Sequence, residues 1–360
     1  MTNISRSGVF VVLYDFDTLK LYLHKGVYGF LMPPVYEAVS RRSGHYAALG
    51  DYACVREGTH VFFFLKRKII YGGQVMGSKK YGAFYINGRY SPMGKLANAE
   101  LYWDESKRMC YKPTNNPGVF ALPKISGERC QPYIILFRDN LGIKGNAITS
   151  DQLYFELGRY SYPLPSNTIS GMGFCTMTPG EVDILLHLLK NEPMDHYDAQ
   201  SDEKIELQGE PLPFEPKYGF RSIKEGMELA TSEAHLEAMI LANPELLPED
   251  LRPNPEDTLC RRVPMSPFKP PKWIDKANIC IYSEPYIING TLPNKIIELK
   301  TRTVTKADIA QIIKYLKWLY MVLKEQASQV KVYLCGPSFK PKIEKFIPQE
   351  YRYQVRLIEF

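Results

Sequence analysis

Apolar and polar positions recur along this chain with two periods, and the period changes from segment to segment. In residues 295–300, KIIELK, the apolar Ile296, Ile297 and Leu299 predict a buried strand. Glu298 and Lys300, two residues apart, then leave that strand by one face. Downstream, Ile309, Ile312, Ile313, Leu316, Tyr320 and Leu323 stand at helical spacing and predict an amphipathic helix over residues 306–326. Gln311 and Tyr315, four apart, share a neighbouring stripe of it and reach over the end of the strand. Residues 277–282 and 330–335 read as further strands, residues 287–290 as the lead into a turn, and residues 352–360 as an edge strand. Upstream, residues 222–242 predict a helix interrupted at Thr231 or Ser232, which caps a second helix with Leu236, Met239 and Ile240 inward. Asn243 and Pro244 end it.

The first half follows the two-residue period more often. Residues 8–16 open with a short apolar strand, and residues 61–65 and 68–71 predict two strands around a basic turn. Gly72, Gly73 and Gly77 allow sharp bending after them. Residues 133–138 and 153–157 read as strands, and residues 35–42, VYEAVSRR, as a helix. Residues 178–190 predict a helix with Thr178 as cap, Pro179 in its first turn and Val182, Leu185, Leu186 and Leu189 on one stripe.

Length and charge divide the chain. A chain of 360 residues with 45% hydrophobic content can bury sizeable cores, and its length favours two domains. Residues 1–190 hold 22 basic and 14 acidic side chains and residues 217–360 hold 22 and 17, while residues 191–216 hold eight acids and one lysine. Two basic bodies on an acidic, proline-bearing connector suit a polyanionic partner; a solvated linker in a slightly basic protein is the plainer explanation. The seven cysteines, with no CxxC pair, read as reduced thiols rather than a disulfide framework or zinc site. No leader sequence or membrane-length apolar run is seen, so a cytoplasmic protein without a membrane partner is expected.

The chemistry concentrates around the KIIELK strand. Asp275 and Glu298 suggest a hard, oxygen-preferring cation such as Mg²⁺ or Mn²⁺, because adjacent carboxylates resist joint ionisation without one. Lys300 would orient a water or offset developing negative charge, as phosphodiester hydrolysis requires. Without chemistry, Glu298 and Lys300 make a buried ion pair, and Asp275 caps a turn. Glu233 and Glu237 share a helix face; Glu237 reads as solvated or supporting, and His235 as structural. The lysines at 306, 314, 317 and 324 read as phosphate contacts or as a solvated face.

Asp275 followed by Glu298-x-Lys300 resembles the PD-(D/E)xK nuclease core, with the Asp in WID rather than after a proline. SEAHLEAMILANPELL upstream and Gln311-xxx-Tyr315 downstream resemble the nuclease domain of the NucS/EndoMS endonucleases, over about residues 228–335. The proline-rich VPMSPFKPPKW and the long stretch from Asp275 to Glu298 depart from that pattern. The resemblance implies a site of Glu233, Asp275, Glu298, Lys300, Gln311 and Tyr315, with metal on Asp275 and Glu298. In the first half, GD, VFFFL and IYGGQVMGS resemble PUA-like β-barrels of the EVE, YTH and ASCH type. That likeness implies a modified or flipped base held on aromatics, for which Tyr46, Tyr71, Tyr85, Tyr90, Tyr102 and Trp103 are candidates, with barrel packing and hydroxyls reaching water the plainer role for any one of them.

The expected architecture is a mainly β, PUA-like barrel over residues 1–190, a linker over 191–216, and an α/β restriction-endonuclease-like domain over 217–360, a mixed sheet flanked by helices. The expected function is a Mg²⁺-dependent DNA endonuclease, a modification-dependent restriction enzyme acting on base-modified double-stranded DNA, with a homodimer as one way to cut both strands. The rivals are a NucS/EndoMS-like mismatch or branched-DNA repair nuclease and a noncatalytic nucleic-acid binder with a degenerate nuclease fold.

Overall fold

The structure is a computed structural model that describes residues 6–29, 47, 50–76, 83–85, 102–104, 109–111, 133–157, 173–198, 232–265 and 275–360. In chain order the first half contributes β1 (Gly8–Val12), β2 (Val27–Gly29), β3 (His60–Leu65), β4 (Lys68–Val75), β5 (Ala83–Tyr85), β6 (Tyr102–Asp104), β7 (Met109–Tyr111), β8 (Tyr133–Arg138), β9 (Asn146–Thr149), β10 (Phe174–Met177) and β11 (Asp195–His196). Its helices are α1 (Phe16–Lys25), α2 (Ser150–Leu157) and α3 (Pro179–Asn191). The second half contributes α4 (Glu233–Ala242), β12 (Thr258–Pro264), β13 (Lys276–Tyr282), β14 (Lys295–Leu299), α5 (Lys306–Leu323), β15 (Lys331–Gly336) and β16 (Val355–Glu359). The molecule is thus mixed α/β with two main sheets, both mixed in strand direction.

The first sheet runs β10-β1-β3-β4-β8-β2, with β5 on β8, β9 on β4 and β11 on β9. Only β1 and β3 are parallel; the other described pairs are antiparallel. Among the described residues this strand path does not close on itself. The β3–β4 hairpin forms where the alternating VFFFL and KIIY runs predict it, turning through Lys66 and Arg67, both at positive φ. β11 takes Asp195 and His196, at the start of the expected linker, onto the first sheet. The predicted helix over residues 35–42 and residues 199–216 of the expected linker lie outside the described residues.

One predicted strand is a helix. Residues 153–157 alternate, but Thr149 and Gln152 just before them form a reciprocal cap: Gln152 N–H donates to Thr149 Oγ1 at 3.2 Å, and Thr149 N–H donates to Gln152 Oε1 at 2.9 Å. That T-x-x-Q pattern starts a helical turn and carries the following residues into α2. The predicted helix at residues 178–190 is present, opened by the Thr178–Glu181 capping box and Pro179.

The second sheet has the order β12-β13-β14-β15-β16. β12, β13 and β14 are antiparallel, and β14, β15 and β16 are parallel, with α5 crossing from β14 to β15. β14 is therefore central, which explains its apolar run: Ile297 and Leu299 enter one core cluster and Ile296 enters another, on the α5 side. The first of those clusters also contains Val9, Phe63 and Leu136 from the other half, so the two halves share a core. Edge strands β10 and β12 meet through side chains: Arg261 N–H donates to Thr176 Oγ1 at 2.9 Å, and Cys260 Sγ donates to the Met177 carbonyl at 3.1 Å. Among the described residues no helix is long and apolar enough to cross a membrane.

Candidate active site

Glu298 leaves β14 on the face of Ile296, the face that α5 covers, so its carboxylate is brought against the helix that follows in sequence. It is 1% exposed. Lys300, two residues on and on the same face, donates from Nζ to Glu298 Oε1 at 2.9 Å. Burial alone would push the carboxyl far up; Lys300 and a hydrogen bond from the Asn278 backbone oppose this and leave it raised to about 7. Burial also disfavours the Lys300 ammonium, but Glu298, and Glu233 behind it, outweigh that and hold its pKa above the ordinary lysine value.

Two further predicted residues, Glu233 and Tyr315, reach this pair, and Gln311 reaches Tyr315. Ser232 caps α4, with His235 N–H donating to its hydroxyl at 3.2 Å, and this places Glu233 in the first turn. There Glu233 Oε1 stands 3.5 Å from Lys300 Nζ with its side chain 40% exposed, facing both the buried pair and water. From α5, the Tyr315 hydroxyl lies 3.3 Å from the Lys276 carbonyl and 3.5 Å from Glu298 Oε2, and can donate to either. Gln311 Nε2 donates to that hydroxyl at 2.5 Å. Burial first, and the charges of Glu298 and Asp275 after it, raise the Tyr315 phenol well above its ordinary range, so it stays a donor at any working pH.

Asp275 is half-buried immediately before β13, and its carbonyl accepts from Met265 N–H at 2.8 Å. Its charge adds to the burial that raises the Tyr315 phenol. Among the described residues no three His, Cys, Asp or Glu side chains stand together closely enough to hold a metal ion. The donor chemistry nevertheless suits a hard cation. Glu298 and Asp275 offer carboxylate oxygens, the donors such an ion takes, and Glu298 already has Lys300 at 2.9 Å as a partner.

Two neighbours differ from their sequence reading or were missed by it. Glu237, read as solvated or supporting, is not solvated: it is 2% exposed, ion-paired to Arg261 and bonded to Asn278, which fits the supporting alternative. Asn278 was not singled out, yet its Oδ1 accepts from Leu299 N–H, between Glu298 and Lys300, at 2.8 Å. An amide inside the apolar run ANICIY was the available signal. His235 is structural as expected: it is buried, and burial lowers its pKa to about 4.

The aromatic candidates of the first half fare differently. Tyr71 is 0% exposed, bonds His60 Nδ1 through its hydroxyl at 3.0 Å and packs edge-on to Phe62. A base would have to displace those partners to stack on it, so Tyr71 serves the core. Tyr102 and Trp103 lie on β6, which pairs with β7, and Tyr85 lies on β5; only their backbones are described. Tyr46 and Tyr90 lie outside the described residues.

No protein-family model matches the chain, and no curated protein matches it. Among solved structures it is similar to the crystal structure of a repair endonuclease from Pyrococcus abyssi, at 19% identity and a TM-score of 0.23. The alignment covers 36% of this chain and 47% of that one, less than half the length of the endonuclease, and a TM-score of that size falls below a shared fold.

Proposed function

We propose that the protein is a divalent-metal-dependent DNA endonuclease whose second half hydrolyses the phosphodiester and whose first half selects the substrate, as a modification-dependent restriction enzyme does. One observation carries the reading: a buried carboxylate, Glu298, shares a strand face with Lys300, and groups from two helices meet this pair, Glu233 from α4 and Tyr315 from α5. A purely structural ion pair needs two partners, and this one draws in four side chains with one of them open to solvent.

In this reading Glu298 and Asp275 would hold Mg²⁺ or Mn²⁺, which when bound supplies Lewis acidity toward phosphate and water. Lys300 keeps its proton and places a positive charge where the phosphorane gathers negative charge. Glu233, at the water-facing edge, orients the attacking water and accepts its proton. Tyr315, protonated and steadied by Gln311, donates to Glu298 and fixes which carboxylate oxygen faces the reaction. Base-modified double-stranded DNA is the proposed substrate.

A second reading, nucleic-acid binding without hydrolysis, is favoured by the lack of a three-donor metal cluster among the described residues. A Mn²⁺-supplemented cleavage panel over unmodified, cytosine-modified, adenine-modified and mismatched duplexes tests the proposal. Cleavage confined to a modified duplex supports the restriction role, cleavage of the mismatch moves the protein to repair, and binding without cleavage leaves the noncatalytic reading.

A further inference from the structure

The candidate site is tied to the other half of the molecule by a polar chain that is buried at Arg261 and Glu237. Pairing between β13 and β14 stops at Ile279–Ile297; the same register continued would set Leu299 opposite Ala277. The Leu299 N–H, which belongs to the peptide joining Glu298 to Leu299, donates instead to Asn278 Oδ1 at 2.8 Å. The Asn278 amide also donates from Nδ2 to Glu237 Oε1 at 2.5 Å. Glu237 Oε2 accepts from Arg261 Nε at 3.0 Å and from Arg261 Nη2. Arg261 Nη1 then crosses to the first half, donating to the Ala47 carbonyl at 2.6 Å and pairing with Asp51 Oδ2 at 3.0 Å.

The side chain of Arg261 is 0% exposed and Glu237 is 2% exposed, so neither can turn to water when a neighbour shifts. Gly50 shows how closely the first half approaches: a Cβ there would stand 3.0 Å from Arg261 Nε and 3.2 Å from Cζ. Movement of the segment bearing Ala47, Gly50 and Asp51 must therefore be taken up by the guanidinium, then by Glu237 and Asn278, and finally by the Leu299 peptide.

We propose that Arg261, Glu237 and Asn278 are positioning residues through which this segment of the first half sets the placement of Glu298 and Lys300. The inference rests on the reading of that pair as a hydrolytic site. It deepens that reading by saying how a substrate engaged by the first half changes the cutting centre: along a contiguous chain of hydrogen bonds.

Three full-length variants test it: Gly50→Ala, which keeps every hydrogen-bonding group and adds one methyl against the guanidinium; Asp51→Asn, which keeps the shape; and Asn278→Ala, which removes the acceptor. Amide hydrogen exchange is read without metal or DNA, and cleavage is read separately. The expected result is exchange at Leu299 about tenfold faster in all three, while Lys300 N–H, bonded to the Cys335 carbonyl at 2.9 Å, keeps its wild-type rate. Cleavage by Gly50→Ala and Asp51→Asn should fall about tenfold in kcat with KM unchanged. Leu299 exchange at the wild-type rate, or rising only in step with every other amide of the sheet, overturns the coupling whatever the cleavage result. Altered Leu299 exchange in a protein whose wild type cuts no duplex overturns the hydrolytic reading instead, and with it the catalytic meaning of the chain.

Discussion

Each half of the molecule buries a glutamate whose carboxyl is raised to about 7 by burial: Glu181 in the first and Glu298 in the second. Their surroundings differ. Glu181 sits in the first turn of α3 and closes its own helix cap, accepting from Thr178 N–H at 2.8 Å and from the Thr178 hydroxyl at 3.0 Å. Glu298 accepts from Lys300 and faces groups brought by α4, α5 and β13. A raised pKa therefore reports burial in both places, and only the convergence of several elements on one carboxylate separates a reaction centre from a local cap.

The widest separation between the two acids is expected in catalysis. Glu298→Gln should lower metal-dependent cleavage by at least about 10³-fold, whereas Glu181→Gln should stay within about twofold, measured as initial nicking rates at one pH. Comparable losses would make Glu298 one more buried acid. Next in size is Lys300→Met, which removes the charge beside Glu298: cleavage should drop by about 10²- to 10³-fold while Mn²⁺ still binds in a calorimetric titration.

The two acids should behave alike toward pH. In each, the folded state keeps a proton that the unfolded chain, near 4.5, has already lost, so its contribution to stability is complete below about 4.5 and is lost as pH rises through about 7. Urea midpoints taken from pH 4.5 to 8 should show Glu298→Gln and Glu181→Gln each losing less stability across this window than the wild type, by up to about 3 kcal/mol. Referring both to the wild type cancels His235, whose carrying of a lowered pKa, about 4 against 6.5, adds stability as pH rises between those values. Added Mn²⁺ should recover stability above pH 7 in Glu181→Gln and leave Glu298→Gln unchanged; recovery in both would place the ion elsewhere. The smallest effect is expected from Tyr315→Phe, which removes one donor worth about 1 kcal/mol and should slow cleavage about fivefold.

Much of this arrangement was legible in the chain. IIEL announced a central strand, the helical stripe after it announced α5, and the four-residue spacing of Gln311 and Tyr315 put both over the strand end, where their side chains meet. β12 was not foreseen because Arg261 and Arg262 interrupt its apolar run. Arg261 is buried only by virtue of Glu237 and Asp51, partners distant in sequence, and Arg262 adopts a φ of 53°. Periodicity also misread residues 153–157, where the local cap at Thr149 and Gln152 overrides the alternation. Tyr71 is one of several aromatics offered for a base pocket, each of them more simply a packing residue, and its inward position on β4 fits the packing role.

The central claim is that Glu298 and Lys300 act with a divalent ion to cut a nucleic-acid strand. Its most direct test is single-turnover cleavage of one end-labelled duplex across a Mn²⁺ titration, run side by side with the wild type, Glu298→Gln and Lys300→Met. The account predicts a wild-type rate that rises with Mn²⁺ and saturates, and no product from either variant above the metal-free level. Variants that cut at the wild-type rate, or a wild type whose cutting ignores the metal, would contradict it.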